Sequence, residues 1–244
     1  MIPHAVVSRE EWHAAQAAHL RREKELTRLR DQVLAERRAL PWLRVDKPYR
    51  FETPQGPTDL AGLFGGRSQL IVYHFMLAPG WEAGCVGCSF LADHFDGTVA
   101  HLNSRDVSFA AVSRAPLAEI EAYRARMGWR FPWVSSFGSD FNHDHQATFT
   151  PEELASGQVF YNFRMTPSAE AHDELHGLSV FVRDEAGAVF RTHSSYARGN
   201  EDMLTTFMLM DRTPRGRNEE GTMSWVRRHD EYAGAASATP SCCG

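Results

Sequence analysis

Cys85 and Cys88, in the stretch Cys85-Val86-Gly87-Cys88, are the residues whose type and spacing best suit chemistry. Two positions between them let the sulfurs meet, and a helix starting there would stabilise the first thiolate. Thiol-disulfide exchange follows: Cys85 attacks a substrate disulfide, and Cys88, one turn deeper, attacks the mixed disulfide and closes the pair. Glu82 stands close in sequence and is expected to raise a nearby thiol pKa, with no lysine or arginine inside the motif to offset it. A second pair, Cys242-Cys243, follows a run of small residues. Adjacent cysteines close only strained disulfides, so a tail shuttle exchanging with Cys85–Cys88, or handing over a soft metal ion, is the chemistry open to them. Four cysteines in 244 residues are too few for a disulfide scaffold, and in a reducing compartment close pairs more often mean redox or metal chemistry.

The twelve histidines offer a competing use for the same thiolates. His143 and His145 flank Asp144, and His172 and His176 stand four apart, a spacing that shares one face of a helix. Combined with Cys85 and Cys88 they make an alternative metal site with donors suited to copper or zinc, and also to iron. The redox reading requires no cofactor. His74 before the motif and His94 after it read as packing residues. Trp81, Phe137 and Phe141 are candidates for an aromatic wall around a substrate.

These residues need a scaffold, and the pattern around them alternates strand and helix. Residues 69–76 are almost continuously apolar, as in a strand covered on both faces. A helix is predicted from the cysteines onward, through Phe90, Leu91, His94, Phe95, Val99 and Leu102. A strand over 106–112 comes next, then a helix from Pro116 to Gly128 with Ile120, Tyr123 and Met127 on one face. Upstream, Ser8 and Glu11 form a capping box for a helix running toward Leu40, stopped by Pro41. Leu26, Leu29 and Val33 make a stripe on it that Trp12 begins. Residues 49–53 read as a short strand and 58–64 as a capped helical turn. Downstream, 129–157 is aperiodic and reads as long surface loops, and 159–165 alternates like a strand. A hairpin over 178–182 and 188–192 turns at Asp184-Glu185-Ala186-Gly187. A last helix is expected over 200–210, a linker over 214–221, and residues 225–232 docking back on the domain before the tail of 234–244. The organisation is then an N-terminal helical arm (1–48), an α/β domain carrying the cysteine pair (49–212), and a C-terminal extension with the Cys-Cys tail (213–244).

Composition narrows the function. A hydrophobic share of 43% supports a substantial core, and a formal charge of −5 provides no positive field for nucleic acid or an anionic membrane. No apolar run is long enough to cross a bilayer, so the expected address is the cytoplasm.

Several local motifs occur together: Leu40-Pro41-Trp42, the segment 81–90 with its cysteine pair, Ser113-Arg114-Ala115-Pro116-Leu117, Arg126-Met127-Gly128-Trp129, 135–142, and Tyr196-Ala197-Arg198-Gly199. Through them nearly the whole chain resembles an uncharacterised, mainly bacterial thioredoxin-like family, a domain of unknown function sometimes labelled dithiol-disulfide oxidoreductase. The resemblance implies an α/β fold, a thioredoxin-like central mixed sheet flanked by helices, and a redox role for Cys85 and Cys88. One departure is that the place where thioredoxin folds carry a cis-proline holds Gly177-Leu178. A small or loosely held thiol, disulfide or peroxide is therefore the expected substrate, with a reductant protein as partner. The alternatives are the copper or zinc protein above and a non-catalytic binding module that forms a homo-oligomer through the N-terminal helix.

Overall fold

Ser8 caps the first helix in the computed structural model, which describes residues 4–171 and 173–232. Its hydroxyl accepts from the Glu11 backbone N–H, and the Glu11 carboxylate accepts the Ser8 N–H. Helix α1, Arg9–Arg38, carries acids in its first turn and arginines in its last, complementing the helix dipole. It buries no residue, and the stripe of Trp12, Leu26, Leu29 and Val33 is exposed. The helix belongs to one compact unit, Met1–Trp42, and the second unit is Leu43–Gly244.

The second unit is built on an eight-stranded mixed sheet. Its elements are β1 (Leu43–Arg44), β2 (Arg50–Thr53), β3 (Gly56–Asp59), β4 (Gln69–His74), α2 (Val86–Ala92), α3 (Val99–Asn103), β5 (Val107–Ser113), α4 (Leu117–Met127), β6 (Trp133–Ser135), α5 (Phe141–Asp144), α6 (Pro151–Ala155), β7 (Gln158–Tyr161), β8 (Arg164–Pro167), β9 (Gly177–Arg183), β10 (Val189–Tyr196) and α7 (Thr205–Met210). The sheet order is β1-β10-β9-β4-β5-β6-β2-β3, with β7 and β8 forming a separate hairpin. β4, β5 and β6 are parallel, and β9 runs antiparallel beside β4. This β-α-β arrangement followed by an antiparallel hairpin is thioredoxin-like. It brings the C-terminal end of β4, which leads to the cysteines, beside the start of β9.

Alternation along β4 divides the apolar residues between two layers. Leu70 and Val72 join Phe51, Phe64, Val134, Phe141 and Phe181 on one face. Tyr73 lies on the other face with Phe75, Phe90, Tyr123, Trp129, Trp133 and Cys88. Ring pairs such as Phe75–Trp133, with centroids 4.5 Å apart, fill the second layer, so α2 and α4 pack on a largely aromatic floor.

Several predicted elements take a different form. Residues 56–59 are β3 rather than the start of a helical turn, because they pair with β2; the turn is confined to Gly62–Phe64. The helix after the cysteines breaks at 93–98 into α2 and α3. The stretch 129–157 is not a set of surface loops: β6 is wholly buried in the sheet, and Trp129, Phe131 and Phe141 are core residues. Its aromatic residues follow no helical or strand period because they serve two layers within a few positions. The last predicted helix is a 3₁₀ segment, Ala197–Met203, followed by α7. Residues 214–221 are held down, since Arg217 pairs with Asp211 and Glu201 and its guanidinium lies 4.1 Å from the Phe207 ring centre. Among the described residues no helix is long and apolar enough to cross a membrane.

At the start of β9, a Cβ added to Gly177 would lie 2.7 Å from the ring of Tyr196, whose hydroxyl donates to the His145 carbonyl. Gly177→Ala is expected to cost about 1–3 kcal/mol of stability through this clash. Chemical denaturation checks it, the expected result being a lower midpoint at unchanged slope.

Candidate functional site: a dithiol at the end of strand β4

Beyond β4 the chain stays within hydrogen-bonding reach of its neighbour: Phe75 N–H donates to the Val112 carbonyl and Ala115 N–H to the Leu77 carbonyl. It then turns back, and Cys85 N–H donates to the Met76 carbonyl at 3.1 Å, fixing the cysteine loop over the end of the strand. Glycine is required just before it, because a Cβ on Gly84 would sit 2.5 Å from the Phe75 ring and 2.7 Å from that of Tyr123. Cys85 is the N-cap of α2, and Cys88 lies one turn inside.

The two thiols are free and differ sharply in environment. Cys85 is partly exposed, and its pKa is lowered to about 6. The principal cause is a hydrogen bond from the Cys88 thiol, which outweighs the opposing effect of burial. The N–H groups of Cys88 and Gly87 and the positive charge of Arg228 add to it. Cys88 is 2% exposed, and burial pushes its thiol well above the ordinary value, helped by its hydrogen bond to Cys85; the Tyr73 hydroxyl and the Met76 backbone oppose this. At neutral pH the pair therefore holds one proton, on the buried sulfur, and presents a thiolate outward. The shift runs opposite to the one expected from Glu82. Its cation comes from Arg228, more than a hundred residues downstream and beyond the reach of local sequence reading.

The other predicted site residues scatter. Trp81 is half-buried against the same core as Cys85. Phe137 is exposed, whereas Phe141 is fully buried in the layer on the opposite face and cannot line a pocket at Cys85. His143 Nε2 lies 3.0 Å from the Glu153 carboxylate. His145 is buried beside Phe141 and His74, with its pKa pushed down to about 3, chiefly by burial. His176 is lowered to about 4, also by burial. His172 and the pair Cys242-Cys243 lie outside the described residues. The proposed ligand set thus does not assemble: among the described residues, no group of three or more His, Cys, Asp or Glu side chains could hold a metal ion. His74 points away from the thiols and meets Ser179 at 2.9 Å, while His94 meets Thr206 at 2.9 Å.

Sequence reasoning also passed over Glu174, a buried carboxylate three residues before β9. Burial raises its pKa to about 7 although Arg114 Nε is 2.5 Å away. A cleft of about 560 Å³ among the β2–β3 hairpin, β5 and β6, with Arg67, Arg124 and Arg130 in its wall, includes neither cysteine.

A family model described as "Bacterial protein of unknown function (DUF899)" matches residues 1–232, and the chain belongs to that family. No curated protein matches it. Among solved structures, peroxidoxin BcpB from Mycobacterium tuberculosis is 14% identical with a TM-score of 0.39, covering 70% of this chain and 96% of that one. A cysteine-to-serine mutant of PrxQ from Xylella fastidiosa is 12% identical with a TM-score of 0.40, covering 67% and 89%. A putative protein disulfide isomerase from Bacteroides thetaiotaomicron is 12% identical with a TM-score of 0.38, covering 74% and 94%. Likeness at this level leaves the chemistry to be argued from the cysteines themselves.

The thiol asymmetry has a direct readout. In the reduced protein, alkylation of Cys85 is expected to rise with pH around a midpoint near 6, as its thiolate fraction does, while Cys88 stays unmodified until the protein unfolds. Iodoacetamide labelling with mass mapping across pH 4–10 checks both.

Proposed function

We propose that the protein is a thiol-disulfide oxidoreductase or thiol-dependent reductase, with Cys85 as nucleophile and Cys88 as resolving thiol. The observation that carries this reading is the division between a partly exposed thiol at the N-cap of α2, whose surroundings lower its pKa, and a buried thiol one turn deeper, whose burial raises it. Structural cysteines have no need of such a division, whereas an exchange reaction uses both halves of it.

With a disulfide substrate RS–SR, the Cys85 thiolate attacks one sulfur, the S–S bond breaks, and RS⁻ leaves. Cys88 then passes its proton to the departed RS⁻ and attacks Cys85 Sγ, expelling the second RS⁻ and forming the Cys85–Cys88 disulfide. Two electrons pass from the dithiol to the substrate. An external thiol or reductant protein returns them by the reverse exchange. With a peroxide ROOH, the Cys85 thiolate takes the terminal oxygen as a sulfenic acid while RO⁻ leaves and takes a proton from solvent; the Cys88 thiol then displaces water to give the same disulfide.

Both substrates are small. A small substrate agrees with the crowding around Cys85, where Met223 lies against Gly87, and with the expectation drawn from Gly177. The metal reading has no third described ligand to support it.

Replacing either cysteine separates the roles. Cys85→Ser is expected to lower turnover of a small disulfide or a peroxide by at least about a thousandfold, since a hydroxyl is not ionised at neutral pH. Cys88→Ser is expected to stop after the first exchange and accumulate a Cys85 mixed disulfide visible by intact mass. Unchanged turnover in Cys85→Ser would contradict the proposal.

A further inference from the structure

Residues 219–232 form a strap across the end of the sheet where the cysteines stand. Val226 is buried in the layer that holds Cys88, and Trp225 packs edge-on against Phe90 with ring centres 5.7 Å apart. The strap is also tied by charge. Arg126 on α4 donates to Asp230 at 2.7 and 3.2 Å and to Glu231 at 3.1 Å, and His229 Nδ1 lies 2.6 Å from the Asp93 carboxylate beyond α2.

These anchors place Arg228 against the cysteine loop. Its Nη2 and Nε donate to the Gly84 carbonyl at 2.6 and 3.2 Å, and Nε also donates to Tyr123 Oη at 3.0 Å. Tyr123 Oη lies 2.8 Å from Ser89 Oγ, and the Ser89 hydroxyl donates to the Cys85 carbonyl at 2.8 Å. Ser89 has a single proton, so Tyr123 is the donor between the two hydroxyls, and the bonds all run one way: Arg228, Tyr123, Ser89, Cys85 carbonyl. A single guanidinium therefore holds the carbonyl before Cys85 directly and the carbonyl of Cys85 itself through two hydroxyls. Nη1 is directed outward to Glu231 at 2.8 Å.

We infer that Arg228 is a positioning residue for the Cys85 thiolate, and that the C-terminal strap is thereby a working part of the redox centre. By fixing both flanking carbonyls it holds Cys85 Sγ toward the N–H groups of Gly87 and Cys88, and it provides the positive charge that the motif itself lacks. The inference rests on the proposed redox role of Cys85 and adds the element that makes its thiol reactive. Other titratable or charged groups around the loop are Cys88 on α2, Tyr73 on β4, Glu119, Tyr123 and Arg126 on α4, Glu82 in the loop, Asp93 after α2, and Glu219, His229, Asp230 and Glu231 on the strap. The charge of Arg228 lowers the Cys85 pKa.

The test is the pH profile of Cys85 alkylation in the reduced full-length protein, mapped by mass, for wild type, Arg228→Gln, Arg228→Lys, Tyr123→Phe and Arg198→Gln. Arg228→Gln is expected to raise the midpoint by about one pH unit. Arg228→Lys should recover part of that shift, because a lysine restores the charge without the forked grip. Tyr123→Phe should move the midpoint upward by a smaller amount, since it interrupts the hydroxyl chain and leaves the cation. Arg198→Gln, which removes an exposed cation paired with Glu201, should leave the midpoint in place. A folded Arg228→Gln protein with the wild-type midpoint overturns the inference. Should that variant fail to fold, wild-type midpoints in both Arg228→Lys and Tyr123→Phe overturn it instead. Failure of the redox proposal itself reads differently, as turnover that survives Cys85→Ser whatever the alkylation profile.

Discussion

The hydrogen bond from the Cys88 thiol to the Cys85 sulfur organises the site, and it depends on how deeply the sheet buries Cys88. A buried thiol resists ionisation, so it remains a donor at neutral pH, and the neighbouring sulfur accepts. With a midpoint near 6 in place of the usual 8.5–9, Cys85 is about nine-tenths thiolate at pH 7 instead of a few per cent. Tyr73, Phe75, Phe90 and Trp133 keep water from Cys88, while the loop ending at Gly84 leaves Cys85 at the rim. Core packing and reactivity are thus the same arrangement seen from two sides.

The sheet also keeps a second set of titratable groups apart from the thiols. His74 and His145 stack on the opposite face with ring centres 5.4 Å apart and stay neutral because burial and the nearby Arg191 disfavour their charge. Ser179 links His74 to Ser194, and Arg191 joins Ser194 to Tyr196. These contacts fasten the β9–β10 hairpin and the 141–145 segment to the sheet.

Much of the frame was legible in the sequence because it depends on local pattern. The Ser8–Glu11 box, the apolar run of β4, the stripe of α4 ending at Gly128 and the β9–β10 hairpin each declare themselves within a dozen residues, as does the cysteine spacing. β6 was not legible: three residues cannot establish a period, and its burial comes from pairing with β5 and β2. The histidine clusters misled for a related reason, since spacing along the chain carries no information about which face of the sheet a residue reaches. His145 and Phe141 face away from the cysteines although their types suit a site. For Arg228 the docking of 225–232 on the domain was legible, but the loop it reaches was not. It acts on a loop 144 residues earlier, through a carbonyl and two hydroxyls that no motif marks.

The central claim is that Cys85 and Cys88 form a reversible two-electron couple, and equilibration against redox buffers of defined potential tests it most directly. Full-length protein is brought to equilibrium with thiol–disulfide mixtures, acid-quenched, alkylated and mapped by mass. The account predicts a Cys85–Cys88 disulfide that appears and disappears in a single transition with a two-electron slope of about 30 mV per decade, approached identically from the reduced and oxidised sides. Persistence of both thiols under every oxidising mixture, or linkage of Cys85 only to the buffer thiol and never to Cys88, would contradict it.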